Sequence, residues 1–167
     1  MIKIKGYCLT LENSLRHIKM KNKLDKIKNL SYEFIFGKSF NKDFVYSFVN
    51  TKSDVWKLSQ FSKEETYIQR AYSCAEGHRR IMETFLNQDE YNWALVMEDD
   101  LILGENIIEQ LNYVIENYNS DWYHLSTEAF FNYLNNVQPL TFQEKPQLLY
   151  CKRGNSTVCY LINKNFA

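Results

Sequence analysis

The chain has 167 residues, 45% apolar and 24% charged, with 20 basic residues balancing 20 acidic ones. That composition is globular rather than disordered, and zero formal charge argues against a general nucleic-acid binder. No apolar run approaches the roughly 18 residues of a membrane helix, and the opening Met1-Ile2-Lys3-Ile4-Lys5 lacks the apolar stretch of a signal peptide. The expected location is therefore cytoplasmic, with Cys8, Cys74, Cys151 and Cys159 as free thiols. None of them stands in a C-x-x-C pair of the zinc-binding kind, so buried inert cysteine is the reading to beat.

Strands and helices alternate along the chain, which favours an α/β layered domain. Residues 4–11 read as a first strand. Asn13 or Ser14 then caps a basic helix over residues 15–29, with Ile18 or Met20, Leu24 and Ile27 turned to the core. A second short strand covers residues 32–36 and closes at Gly37. Residues 38–61 are irregular and aromatic, with one short strand expected near 44–49. Ser62-Lys63-Glu64-Glu65 is a capping box that opens the strongest helix. Ala71, Cys74, Ala75, His78, Ile81, Met82 and Phe85 recur on one face of that helix, to about Asn87.

Trp93-Ala94-Leu95-Val96-Met97 is a continuous apolar run suited to a strand buried on both faces. Leu101-Ile102-Leu103-Gly104 leads into an amphipathic helix through Ile107, Ile108, Leu111, Val114 and Ile115. Residues 122–126 are a strand candidate. Residues 147–152 and 158–162 are late strands about a turn at Arg153-Gly154-Asn155-Ser156. The chain ends at Ala167 just after a strand, so the expectation is one domain over residues 1–167 that lacks its C-terminal part.

Glu98-Asp99-Asp100 directly follows the buried apolar run. Three adjacent carboxylates repel one another unless a cation or solvent relieves them. In open α/β sheets, ligands collect at the carboxyl ends of strands. Alternation along an extended backbone sends Glu98 and Asp100 to one side and Asp99 to the other. Such a pair of oxygen donors suits Mg²⁺ or Mn²⁺. The same run also reads as a solvated acidic segment before a helix, favoured by the helix dipole. His78 reads as a hydrogen-bonded core histidine, and His17 and His124 belong to no constellation. Arg16 stands near a helix N-terminus, a natural anion site, although Arg16, Lys19, Lys21 and Lys23 also read as one solvated basic face. No P-loop, G-x-S-x-G or H-E-x-x-H motif occurs.

Four stretches, in order, resemble glycosyltransferase family 25, whose bacterial members build lipopolysaccharide and whose animal relatives galactosylate collagen. They are Cys8-Leu9-Thr10-Leu11-Glu12-Asn13-Ser14-Leu15-Arg16-His17, Ser73-Cys74-Ala75-Glu76-Gly77-His78, Ala94-Leu95-Val96-Met97-Glu98-Asp99-Asp100, and Val158-Cys159-Tyr160-Leu161-Ile162-Asn163 with Ala167. The chain departs from the family's pattern at Thr10 (usually Asn), Glu12 (often Asp), His17 (commonly a second Arg) and Gly77 (usually Ser). The family's further C-terminal acidic motif lies beyond Ala167.

The resemblance implies a GT-A-like nucleotide-binding α/β/α sandwich with a mixed, mostly parallel sheet. It implies transfer of a hexose, commonly galactose from UDP-galactose, with inversion, to a saccharide, glycan or hydroxylysine-type acceptor. It places the metal, Mn²⁺ or Mg²⁺, on Asp100 with Glu98. The nucleotide-sugar falls along Leu11, Glu12, Arg16, Glu98 and Asp99, with Cys74 and His78 as structural support. The catalytic base is unassigned. Glu128, just past a strand, is the first candidate. A peripheral position at a membrane is compatible with this function. Two alternatives stand beside it: a non-catalytic relative that binds only nucleotide-sugar, and an unrelated metal-dependent phosphoryl-transfer enzyme.

Overall fold

The computed structural model describes residues 1–41, 43–45, 47, 65–101, 103, 104, 106–125 and 159–167. Cys151, Glu128, the capping box begun at Ser62, the strand expected over 147–152 and the turn at 153–156 lie outside them. Strand β1 is Ile4–Thr10, helix α1 Leu15–Leu24 and strand β2 Ser31–Phe36. Helix α2, Glu65–Leu86, precedes β3, Trp93–Glu98. Helix α3 is Ile107–Asn117, and the last strands are β4, Trp122–His124, and β5, Cys159–Asn163.

The five strands form one sheet in the order β2-β1-β3-β5-β4. β1 runs parallel to both β2 and β3, whereas β5 is antiparallel to β3 and to β4. Only β5 therefore opposes the common strand direction, which makes this a mixed, mostly parallel sheet. Helices cover both faces, as a parallel core requires. On one face, Met20 and Leu24 of α1 and Leu111 and Val114 of α3 pack with Cys8, Leu95, Met97 and Leu161. On the other, Ile81 and Phe85 of α2 pack with Tyr7, Leu9, Val96 and Tyr160. β3 contributes alternate residues to the two layers, which is why its sequence is an unbroken apolar run. Among the described residues, no helix is long and apolar enough to cross a membrane.

Three local expectations change. Helix α1 ends at Leu24, short of residue 29, because the Asp25 carboxylate is engaged by Lys21 and the Tyr32 hydroxyl, and Asn29 adopts φ 62° to turn the chain into β2. Ile18 is exposed, while Met20, Leu24 and Ile27 are buried. Residues 43–45 and 47 are helical rather than extended. Here Asn41 accepts the Asp43 amide on its side chain and the Val45 amide on its carbonyl, and that opens a turn instead of a strand.

Gly77 sets the distance between α2 and the sheet. A Cβ at this position would lie 2.5 Å from Leu9 Cδ1 and 2.7 Å from Leu9 Cδ2. The missing side chain lets α2 settle directly onto β1 at Leu9, whose register partner on β3 is Glu98. The last residue of β3 thereby comes within reach of the helix residues flanking Gly77.

Candidate active site at the carboxyl end of β3

β1 and β3 end side by side, with Leu9 opposite Glu98. The chain leaves β1 through an exposed turn containing Leu11, Glu12 and Asn13, with Asn13 at φ 57°. Ser14 then caps α1 by accepting the His17 amide at 3.0 Å, a preferred N-cap arrangement. Arg16 is thus carried on the first turn of α1, over the end of β3. His17 lies edge-on between Phe34 and Phe36, with ring centroids 4.5 and 5.2 Å away, so it belongs to the packing of β2.

The three carboxylates divide between two neighbourhoods. The Glu98 side chain is on the α2 face, with Oε1 3.6 Å from Cys74 Sγ and 3.4 Å from His78 Nε2. Asp99 is turned to the α1 face, where the Thr10 hydroxyl donates to its Oδ2 at 2.6 Å and Arg16 Nη1 lies 3.7 Å from its Oδ1. Asp100 also faces Arg16, with Nη1 3.6 Å from Oδ2. The pairing of Glu98 with Asp100 expected from strand alternation is therefore corrected. β3 stops at Glu98, and Asp99 and Asp100 enter a turn that points both toward Arg16. The turn is held from α1 by Lys23, whose ammonium donates to the Leu101 carbonyl at 2.9 Å.

Repulsion within the acidic run is relieved by separate partners for each group. The charge of Asp99 and Asp100 still reaches the layer beneath. Burial pushes the Cys8 thiol up to about 12, and Asp99 and Asp100 add to that shift. Burial alone pushes Cys159 up to about 12. His78 is supported from β5, with the Tyr160 hydroxyl 3.0 Å from its Nδ1. The Glu98 carboxylate only accepts, so a neutral His78 directs Nε2–H to Glu98 and accepts from Tyr160 on Nδ1. Burial, followed by the nearby Cys74 and Glu98, raises the Tyr160 hydroxyl and keeps it protonated.

Of the residues expected at the site, Arg16, Asp99 and Asp100 come together, with Leu11 and Glu12 on the adjoining turn. Glu98, Cys74 and His78 form a second group on the opposite face. Thr10 and Tyr160 were not anticipated. Thr10 had shown itself only as a departure from a family pattern, and Tyr160 only as part of an apolar strand. A shallow recess bounded by Ile4, Asn29, Tyr91 and Ile108 lies instead at the starting end of β1.

The oxygen-rich turn and the cation on the first turn of α1 lie at the paired carboxyl ends of the parallel strands β1 and β3, where ligands gather in open α/β sheets. A search of curated protein sequences finds no significant match. The sequence model of glycosyltransferase family 25 (LPS biosynthesis protein) matches residues 3–167, so the chain belongs to that family of glycosyltransferases.

Proposed function

We propose that this glycosyltransferase moves a hexose, with galactose from UDP-galactose as the leading donor, to a hydroxyl of a saccharide or hydroxylysine-type acceptor with inversion. The observation that carries the reading is the Asp99–Asp100 turn facing Arg16 at the carboxyl end of β3. In inversion, the acceptor oxygen forms a bond to the anomeric carbon as the bond to the diphosphate oxygen breaks. The diphosphate leaves with the electron pair, and a base takes the acceptor proton. Glu128 remains the candidate base.

The carboxylates of Asp99, largely covered, and of Asp100, open to solvent, are hard donors on one turn and fit Mn²⁺ or Mg²⁺. Asp100, half exposed, is the principal ligand, and Thr10 orients Asp99 beside it. Glu98, engaged on the α2 face, is left out of this donor set. When bound, the ion offsets charge developing on the departing diphosphate. Arg16 is long-reaching and 67% exposed, so it can exchange the two aspartates for diphosphate oxygens beside the N-terminus of α1. Leu11 and Glu12 then border the nucleotide.

Calorimetry of UDP binding with Mn²⁺ and with chelator tests this reading. Affinity should be higher with Mn²⁺, and Asp100→Ala should remove the difference while leaving the melting curve in place. Equal affinity with and without the ion would overturn it.

A further inference from the structure

Cys74, His78 and Glu98 each offer one ligand atom, and those atoms lie within 4.8 Å of one another. Cys74 and His78 are one turn apart on α2, and Glu98 is brought to them by the close approach at Gly77. The Nε2–Oε1 spacing is long for a direct hydrogen bond of the usual 2.7–3.2 Å N–H···O kind, and both spacings to Glu98 match the edges of a metal's coordination shell. A tetrahedral ion with bonds of about 2.3 Å to sulfur and about 2.0–2.2 Å to nitrogen and oxygen has ligand–ligand edges of roughly 3.3–3.6 Å. The Nε2–Oε1 and Sγ–Oε1 distances are 3.4 and 3.6 Å.

We infer that Cys74, His78 and Glu98 form a zinc site, separate from the oxygen donors of Asp99 and Asp100. The donor set is one thiolate, one imidazole and one carboxylate, which favours zinc over magnesium or manganese. One thiolate and one carboxylate balance the charge of a dication. With Nε2 as ligand, the proton moves to Nδ1, which then donates to the Tyr160 oxygen 3.0 Å away. A ligating histidine needs such an orienting partner on its other nitrogen. Cys8 and Cys159 are fully packed in the apolar layers, whereas Cys74 is partly exposed, so ligand and ion can reach it. Three protein ligands leave a fourth position to water. The ion joins α2 to the end of β3, one residue before the acidic turn. The inference does not depend on the donor reading of Asp99 and Asp100.

The test uses the full chain carrying Cys151→Ser, stripped of metal and titrated with Co²⁺ alone as a spectroscopic stand-in. One equivalent should give intense visible bands of a tetrahedral ion and a thiolate-to-cobalt charge-transfer band, both displaced by Zn²⁺. Cys74→Ser should abolish the charge-transfer band. Tyr160→Phe should keep the bands but weaken binding by about 10- to 100-fold, as loss of an orienting partner does. In the same chain without further substitution, Zn²⁺ should protect Cys74 from iodoacetamide, read by peptide mass. That measurement stands even if Cys74→Ser does not fold. Weak octahedral bands without charge transfer, a band that survives Cys74→Ser, or an unprotected Cys74 would each overturn the proposal.

Discussion

The two sides of the β3 terminus differ in kind although they are consecutive in sequence. Glu98 is partly buried against α2, where a thiol and an imidazole approach it and a phenol backs the imidazole. Asp99 and Asp100 belong to a turn against α1, where their partners are a hydroxyl and one exposed guanidinium. The first side is partly buried, with the His78 and Glu98 side chains 11% and 26% exposed. The second is held by the 2.6 Å hydrogen bond from Thr10 to Asp99 and by two long ion pairs to the exposed Arg16, of a kind worth about 0–1 kcal/mol. Adjacent carboxylates therefore stand in different settings: Glu98 is engaged with α2, and the two aspartates with α1 and Thr10.

Substitutions should separate the sides by what each one damages. The largest effect is expected from Asp100→Ala. On the proposal that Asp100 holds the ion, its loss should lower transfer by at least about 100-fold, with stability changed by no more than about 0.5 kcal/mol. Donor turnover and a melting curve on the same preparation check both halves. His78→Ala should show the reverse pattern. It removes the imidazole that the Tyr160 hydroxyl and Glu98 both approach, so denaturant unfolding should report a loss of about 1–3 kcal/mol. Its effect on transfer should be smaller than that of Asp100→Ala. An unchanged unfolding curve with abolished turnover would make His78 a participant in chemistry.

Gly77→Ala probes the spacing that creates the α2 side. Overpacking against Leu9 costs about 1–3 kcal/mol, and replacing a helical glycine returns up to about 1 kcal/mol. Net destabilisation is expected, together with greater reactivity of Cys74 toward alkylating reagents as α2 moves off the sheet. A more stable Gly77→Ala protein would mean that Leu9 simply turns aside.

A pH series tests how far the charge of the acidic turn penetrates. The Cys8 thiol is raised from its ordinary 9.0 to about 12 by burial, then by Asp99 and Asp100. The folded state thus holds a proton that the unfolded chain releases above its ordinary value. The stabilisation is complete below pH 9.0 and declines as pH rises toward about 12. Cys159 declines over the same window. Melting temperatures should fall across it, and Cys8→Ala should flatten part of that fall. The smallest effect on stability is expected from Arg16→Ala, at most about 1 kcal/mol, while affinity for UDP with Mn²⁺ should drop. Unchanged affinity would remove Arg16 from the donor side.

Much of the architecture is legible in the residues themselves. The apolar run 93–97 identifies a strand buried on both faces, because only a double-layered sheet consumes uninterrupted apolar residues. The face through Cys74, His78, Ile81 and Phe85 identifies α2, and the acidic triplet marks the carboxyl end of β3. The ending of α1 at Leu24 was less legible, since it depends on Tyr32 reaching back to Asp25. What only the tertiary structure decided is the allocation of the carboxylates. Alternation holds while the backbone is extended, and β3 ends one residue too early for it to place Asp100. Likewise, Thr10 and Tyr160 become partners of Asp99 and His78 only because β1, β3 and β5 lie side by side. Gly77, unremarkable as a helical glycine, matters because Leu9 fills the space its side chain would take. Local patterns specify elements, whereas contacts between residues about 70–90 positions apart exist only once the sheet has formed.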